Sequence, residues 1–278
     1  MRTLSVLTCL AAALISQSAA AQEATGESIL DGDRITVAAG AVYMPSYRGS
    51  DDYTVSPFPV IQGQVNGIGI NPRAGGVALD FIPDGDARIG FSLGPVVSYS
   101  ANRARGIEDE VVRAAGKLDE AIELGATAGV TAYRLLNPYD ALTLSADVRW
   151  DVAGAHEGMV VTPNLTYTTP LSRGALVALN VSARHVDDDF ARYYYSVTPG
   201  QSLASGLPLY SAEGGWDSVN VGLLGGYDLD GDLLNGGFAL FGGLAYSRML
   251  NDGKDTPFTS IRGDADQWMA GAGLAYTF

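Results

Sequence analysis

Residues 142–152 read LTLSADVRWDV: Leu142, Leu144, Ala146, Val148, Trp150 and Val152 are apolar, with Thr143, Ser145, Asp147, Arg149 and Asp151 between them. Successive side chains of a strand point to opposite faces, so strict alternation over this length describes a strand with one oily and one charged face. The same period returns on both sides. In 122–133 (IELGATAGVTAY), Ile122, Leu124 and Val130 oppose Glu123, Thr127 and Thr131. In 160–168 (VVTPNLTYT), Val161, Leu165 and Tyr167 oppose Thr162, Asn164 and Thr166; in 176–185 (LVALNVSARH), Val177, Leu179 and Val181 oppose Asn180, Ser182 and Arg184.

A soluble sandwich also alternates, so length and aromatic placement decide. These segments run to about ten residues, enough to cross a hydrocarbon layer when tilted, where ordinary strands have about five or six. Tyr43, Tyr99, Trp150, Tyr167, Tyr227, Tyr246 and Tyr276 fall at segment ends on the apolar face, as an interfacial girdle requires. The fold class is all-β, an antiparallel transmembrane β-barrel. Strand candidates are 34–43, 57–65, 67–71, 76–82, 88–99, 122–133, 141–152, 159–168, 175–185, 217–227, 237–247 and 267–278. That makes about twelve strands, with ten the alternative because the third and fourth segments are weak. Turn chemistry at Asn66-Gly67, Asp84-Gly85, 137–140, 172–174 and 228–236 marks short periplasmic turns. Longer connections at 44–56, 100–121, 186–216 and 248–266, with short ones at 72–75 and 153–158, belong to the outer side.

The N-terminus supplies the route. Arg2, the apolar run from Leu4 to Ile15 and the small residues Ala19 to Ala21 read as a secretory signal peptide over 1–21. A periplasmic segment, 22–33, and the barrel, 34–278, follow it. The single cysteine, Cys9, lies in the signal, so the mature chain offers no disulfide, thiolate metal site or thiol nucleophile. Removing Arg2 leaves 17 − 1 = 16 basic against 31 acidic residues, a balance that argues against nucleic acid as a partner. The expected address is the outer membrane of a Gram-negative cell, in contact with lipid and lipopolysaccharide. The chain ends MAGAGLAYTF, with Leu274, Tyr276 and Phe278 at alternate positions behind Trp268. This pattern looks like the signal read by the barrel assembly machinery.

Candidate functional residues fall in two groups. Arg34, Glu123, Asp147, Arg149, Asp151 and Arg184 carry both charge signs on inward faces. They form either a charge-selective path or an ion-paired brace for the wall. In the outer loops, Asp187, Asp188 and Asp189 precede the run Tyr193, Tyr194 and Tyr195. These residues could bind divalent cations of lipopolysaccharide, dock a partner or fold into the mouth; a solvated acidic loop is the commoner arrangement. The segment 106–121 (GIEDEVVRAAGKLDEA) has helical period in Val111, Val112, Ala115 and Leu118, fitting a short capping helix. Hydrolase chemistry has little support. His156 lacks the second histidine of a zinc motif, and His185 ends a strand on the lipid face near Ser182 and Asp187. The stretch DLDGD (228–232) lacks the later ligands of a calcium loop.

Three separated stretches carry a family resemblance: PSYRGSDDYTVSPFPVIQGQV (45–65), RYYYSVTP (192–199) with SGLPLYSAEGG (205–215), and 241–278. Together they resemble the MipA/OmpV family, the MltA-interacting proteins. The resemblance implies an outer-membrane barrel without catalytic residues or a cofactor. It also implies a scaffold that brings a lytic transglycosylase and a murein synthase together, engaged by the periplasmic turns and rim. Members described as adhesins or antibiotic-response porin-like proteins imply the alternatives: a narrow channel or small-solute-binding barrel, or attachment through the outer loops.

Overall fold

A computed structural model describes residues 32–83 and 87–278; the expected signal peptide over 1–21, most of the 22–33 segment and the expected turn at Asp84-Gly85 lie outside the described residues. Its strands are β1 (Arg34–Pro45), β2 (Tyr53–Val65), β3 (Ile68–Arg73), β4 (Gly76–Asp80), β5 (Ile89–Ser100), β6 (Ala121–Tyr133), β7 (Ala141–Asp151), β8 (Met159–Ser172), β9 (Ala175–Val186), β10 (Gly215–Asp228), β11 (Gly237–Met249) and β12 (Asp266–Thr277). Each pairs antiparallel with its neighbour in sequence, and β12 returns to β1 to close the barrel. Closure removes the sheet edges that a bilayer could not satisfy. The seam pairs Val37 with Tyr276 and Tyr43 with Ala270, and the Phe278 N–H donates to the Ile35 carbonyl at 2.9 Å.

Register assigns the two faces. Glu123, Asp151 and Ser98 lie level across β5 to β7, as do Thr127 and Asp147, so one parity points inward throughout. The other parity presents Val37, Leu93, Leu124, Leu144, Leu179, Val221 and Leu244 outward, all exposed. Such a continuous apolar belt belongs in lipid. No helix among the described residues is long and apolar enough to cross a membrane. The protein is thus a twelve-stranded barrel of the Gram-negative outer membrane, with the ten-strand alternative set aside.

Two boundaries lie about four residues from the sequence expectation, the others within about two. β2 begins at Tyr53 and carries Pro57 and Pro59 inside the strand. β2 pairs with β1 along its whole length but with β3 only at Gly63 to Val65, leaving its outer half with an unpaired edge. Proline is tolerated there because a missing N–H costs no ladder bond on an unpaired side. β8 extends to Ser172 through Pro170, where its pairing with β9 is irregular. β4 meets β5 only at Gly76 to Ala78, so β3 and β4 form a short, weakly paired sector of the wall.

The outer loops close the mouth. They carry α1 (Glu110–Ala114), α2 (Asp188–Tyr195), α3 (Pro199–Ser205), α4 (Asn251–Asp255) and α5 (Pro257–Ser260). Asp109 caps α1, Asp187 caps α2, and Thr198 with Gln201 forms a capping box on α3. One apolar cluster packs Phe190, Tyr194, Tyr195 and Met249 against the wall residues Val160 and Val186. A second gathers Tyr47, Ile107, Val112, Val197, Leu207 and Phe258 from four different loops. The main apolar packing therefore lies in this cap, since the belt is buried by lipid instead.

Candidate functional site

Directly beneath the cap the inward residues of β3, β6, β7, β9 and β10 form a charged chamber. Arg149 Nε donates to Glu123 Oε2 at 2.9 Å and Arg149 Nη1 to Asp147 Oδ2 at 3.3 Å. Arg73 Nε donates to the same Asp147 oxygen at 2.9 Å, and its Nη2 reaches Thr127 Oγ1 at 3.3 Å. Two strands along the wall from Asp147, Arg184 grips Asp217 with two guanidinium nitrogens, while the Tyr195 hydroxyl donates to Asp217 Oδ2 at 2.6 Å. These pairs are largely withdrawn from solvent, where charge-assisted bonds hold their geometry best. Burial, then the neighbouring Asp217 carboxylate, pushes the Tyr195 phenol well above its ordinary value, so it stays protonated and keeps donating.

Arg48 sits among these groups. It lies in the loop between β1 and β2, yet its guanidinium feels Arg184, Asp217, Tyr195 and Glu123, which belong to β9, β10, α2 and β6. The backbone around it is pinned: Tyr47 Oη donates to the Phe258 and Arg262 carbonyls at 3.0 and 3.2 Å, and the Arg48 N–H donates to Asn102 Oδ1 at 2.9 Å. Gly49, at φ 93°, lies so close to Thr259 that a Cβ would come within 2.1 Å of its hydroxyl oxygen. The Arg48 side chain itself makes no hydrogen bond or ion pair among the described residues and is exposed to the interior space.

His156 joins cap to wall. Its ring is buried, edge-on to Phe190 at 4.8 Å between centroids. Nδ1 accepts from the Gly158 N–H at 3.1 Å, and Nε2 lies 3.5 Å from Glu123 Oε1. Arg103, deep in the cap, has no carboxylate partner among the described residues; it donates to the Tyr194 carbonyl and lies 3.6 Å over the Phe258 ring. Burial pushes its guanidinium down to about 10.

The expected lumen charges divide. Glu123, Asp147, Arg149 and Arg184 come together as described. Arg34 faces inward at the periplasmic rim, level with Gln64 and apart from the chamber. Asp151 lies on the inward parity beside Glu123, and its carboxylate caps the turn after β7, accepting from the N–H groups of Ala153, His156 and Glu157. The structure places the outer-loop candidates in and around the cap. Tyr194 and Tyr195 are buried in the cap, and the Tyr193 hydroxyl accepts from the Asp119 N–H. Asp187 caps α2 and ties Met159, Asp188 accepts from the Gly214 N–H, and Asp189 pairs with Arg192. No group of three metal-ligating side chains converges among the described residues. His185 stands edge-on to Trp216 while Asp187 is committed to capping, which dissolves the hydrolase constellation. Trp268, Leu274, Tyr276 and Phe278 all face lipid.

Sequence reading missed Arg48, Arg73 and Asp217. Alternation assigns Asp217 to lipid; a bulge between Trp216 and Ser218 turns it inward. It also missed Phe58, Leu224 and Phe241, which register places on the inward face across from the polar wall.

A model of the family described as MltA-interacting protein MipA matches residues 37–278. The chain belongs to this family. Its three quoted stretches cover the β1–β2 loop with β2, the α2–α3 region, and the β11–β12 hairpin, so the resemblance spans both cap and wall of this MipA-family barrel. No curated protein matches the chain. Among solved structures, it is similar to an outer membrane channel from Pseudomonas putida F1, at 14% identity and TM-score 0.46, covering 93% of this chain and 100% of that one. It is also similar to the Pseudomonas putida toluene transporter TodX, at 9% identity and TM-score 0.39, over 89% of each chain. A third similarity is to OprD from Pseudomonas aeruginosa, at 12% identity and TM-score 0.36, over 88% of this chain and 65% of that one. These likenesses are to barrel architecture alone.

Proposed function

We propose that this MipA-family protein is a narrow, loop-gated conduit for small solutes, with the charged chamber as its selective segment. The carrying observation is unfilled space below the cap: Leu224 and Phe58 point inward by register and yet are 48% and 38% exposed. A brace would fill its interior with side chains, as small barrels do. The cap is built from the chain's own loops and rests on the wall through polar contacts, among them Tyr195–Asp217. Conductance of the refolded barrel in planar bilayers tests the reading. Wild type gives small, intermittent steps, and deleting 188–212 raises the open fraction at least tenfold; silence from both would sink the conduit.

The second reading is the scaffold, favoured by the family description and by the periplasmic rim. There Leu136 and Tyr139 project from the β6–β7 turn at 82% and 77% exposure. A scaffold predicts that Leu136→Ala with Tyr139→Ala abolishes capture of a lytic transglycosylase and leaves conductance untouched. Unchanged capture would remove that assignment.

A further inference from the structure

We propose that the barrel wall opens sideways between β2 and the β3–β4 hairpin, and that small, uncharged, apolar solutes pass through this opening between the lumen and the outer leaflet. The proposal rests on the conduit reading for the open interior below the cap, and it adds a second exit and a solute class. Strand lengths carry it. β2 and β5 have 13 and 12 residues, whereas β3 and β4 between them have six and five. Continuing the register that pairs Gly63 with Ile70 puts Arg73, the last residue of β3, opposite Val60. Tyr53 to Pro59 therefore run beyond the hairpin, roughly 20 Å of strand with β1 on one side and no strand on the other. On the far side β5 also passes the hairpin: Ser98 is level with Gly76, and the Tyr99 N–H reaches back to the Gly75 carbonyl at 2.9 Å. Above, the bond from the Arg48 N–H to Asn102 Oδ1 joins the two flanking loops. The opening thus has a strand on each side, the exposed tip at Ala74 and Gly75 below, and a loop tie above.

The chemistry of the edge names the solute. An unpaired N–H is costly in lipid. Alternate residues of a strand turn their N–H groups to opposite neighbours, and β2 pairs with β1 without a break. That ladder places Pro57 and Pro59, which have no N–H, at positions turned away from β1, so they remove two donors from the open edge. The lipid-facing side chains of this edge, Val55, Pro57, Pro59 and Ile61, are apolar and exposed, and Phe58, which register points inward, is exposed as well. From Phe58 the same row continues along the inner wall through Gly40 and Gly273 to Phe241, whose ring lies over Gly273. Arg73, the charge nearest the tip, turns away to Asp147. An apolar solute crosses such a lip without loss, whereas a charged one must shed its water there.

Two measurements on the full barrel test this. In vesicles containing doxyl-labelled lipid, a bimane on Phe58→Cys is quenched at least half as strongly as one on the outward Val181→Cys. A bimane on the inward Ser182→Cys, whose strand is paired on both sides, stays unquenched. Protection of Phe58→Cys equal to that of Ser182→Cys means a closed wall and overturns the proposal. The second measurement uses a disulfide between Gln62→Cys and Asn71→Cys, which the continued register places opposite each other at the foot of the opening. The chain's one cysteine, Cys9, precedes the barrel and does not interfere. In Gram-negative cells displaying the barrel, uptake of the neutral dye N-phenylnaphthylamine exceeds that of the host alone at least threefold. It falls to the host level when the pair is oxidised and recovers on reduction, while the wild-type barrel responds to neither treatment. Uptake that the disulfide leaves unchanged removes the passage. Planar-bilayer conductance separates the two claims. A conducting barrel without dye uptake keeps the conduit and removes the side opening, whereas a silent barrel with disulfide-sensitive uptake keeps the side opening and removes the loop-gated route.

Discussion

Asp217 is the residue on which most of the outer end converges. It anchors Arg184 from β9, receives the hydroxyl of Tyr195 from the cap, and lends its backbone carbonyl to the Leu250 N–H. Removing one partner of a buried pair strands the other charge, at a cost of about 3–5 kcal/mol. Asp217→Ala is expected to lower the urea stability of the refolded barrel by that amount, and Asp217→Asn by less, since the amide still accepts from Tyr195. A second residue-scale prediction concerns backbone approach. A Cβ at Gly263 would sit 1.7 Å from the Gly49 carbonyl oxygen, and no flexible side chain can yield there. Gly263→Ala is expected to lift the Arg48 loop away from α5 and raise channel open time, seen as longer conducting bursts; unchanged bursts would show that this contact does not hold the gate.

Among elements, the β3–β4 sector is the weak part of the wall. Those strands have six and five residues, and each meets its outer neighbour over three residue pairs. Local opening follows the number of ladder bonds that must break together. Amide exchange in β3 and β4 is therefore expected to exceed that of β6 to β11 by at least tenfold; uniform exchange around the barrel would contradict this. The α1 element responds to acid instead. Burial alone would raise the Asp109 carboxyl, but the Arg262 guanidinium and the Val112 N–H outweigh it and hold it below its ordinary value. With the folded value below the unfolded one, its contribution is complete above about pH 4 and is lost as pH falls through the folded value. Exchange protection of α1, corrected for intrinsic rates, should fall on acidification, and Asp109→Asn should lack that step.

At the scale of the molecule, the apolar belt and closure were legible in the chain because a strand in lipid has a period of two and must run about ten residues. Leu142 to Val152 carries both facts, and the terminal Phe278 marks where the last strand returns to the first. Glu123, Asp147, Arg149 and Arg184 were legible as inward charges by the same parity. What parity cannot state is which charges meet, because neighbours around a barrel are set by strand stagger between segments far apart in sequence. Only the tertiary structure brought Arg73 to Asp147, turned Asp217 inward through a bulge, and chose among the alternatives for the tyrosines of 193–195 by packing Tyr194 and Tyr195 in the cap. Arg48 shows the division most plainly. In sequence it is one cation in a polar loop; the packing of Tyr47 and Gly49 against α5 and of Ser50 against Gln267 fixes the backbone that carries it, a position decided by loop contacts that have no period to read.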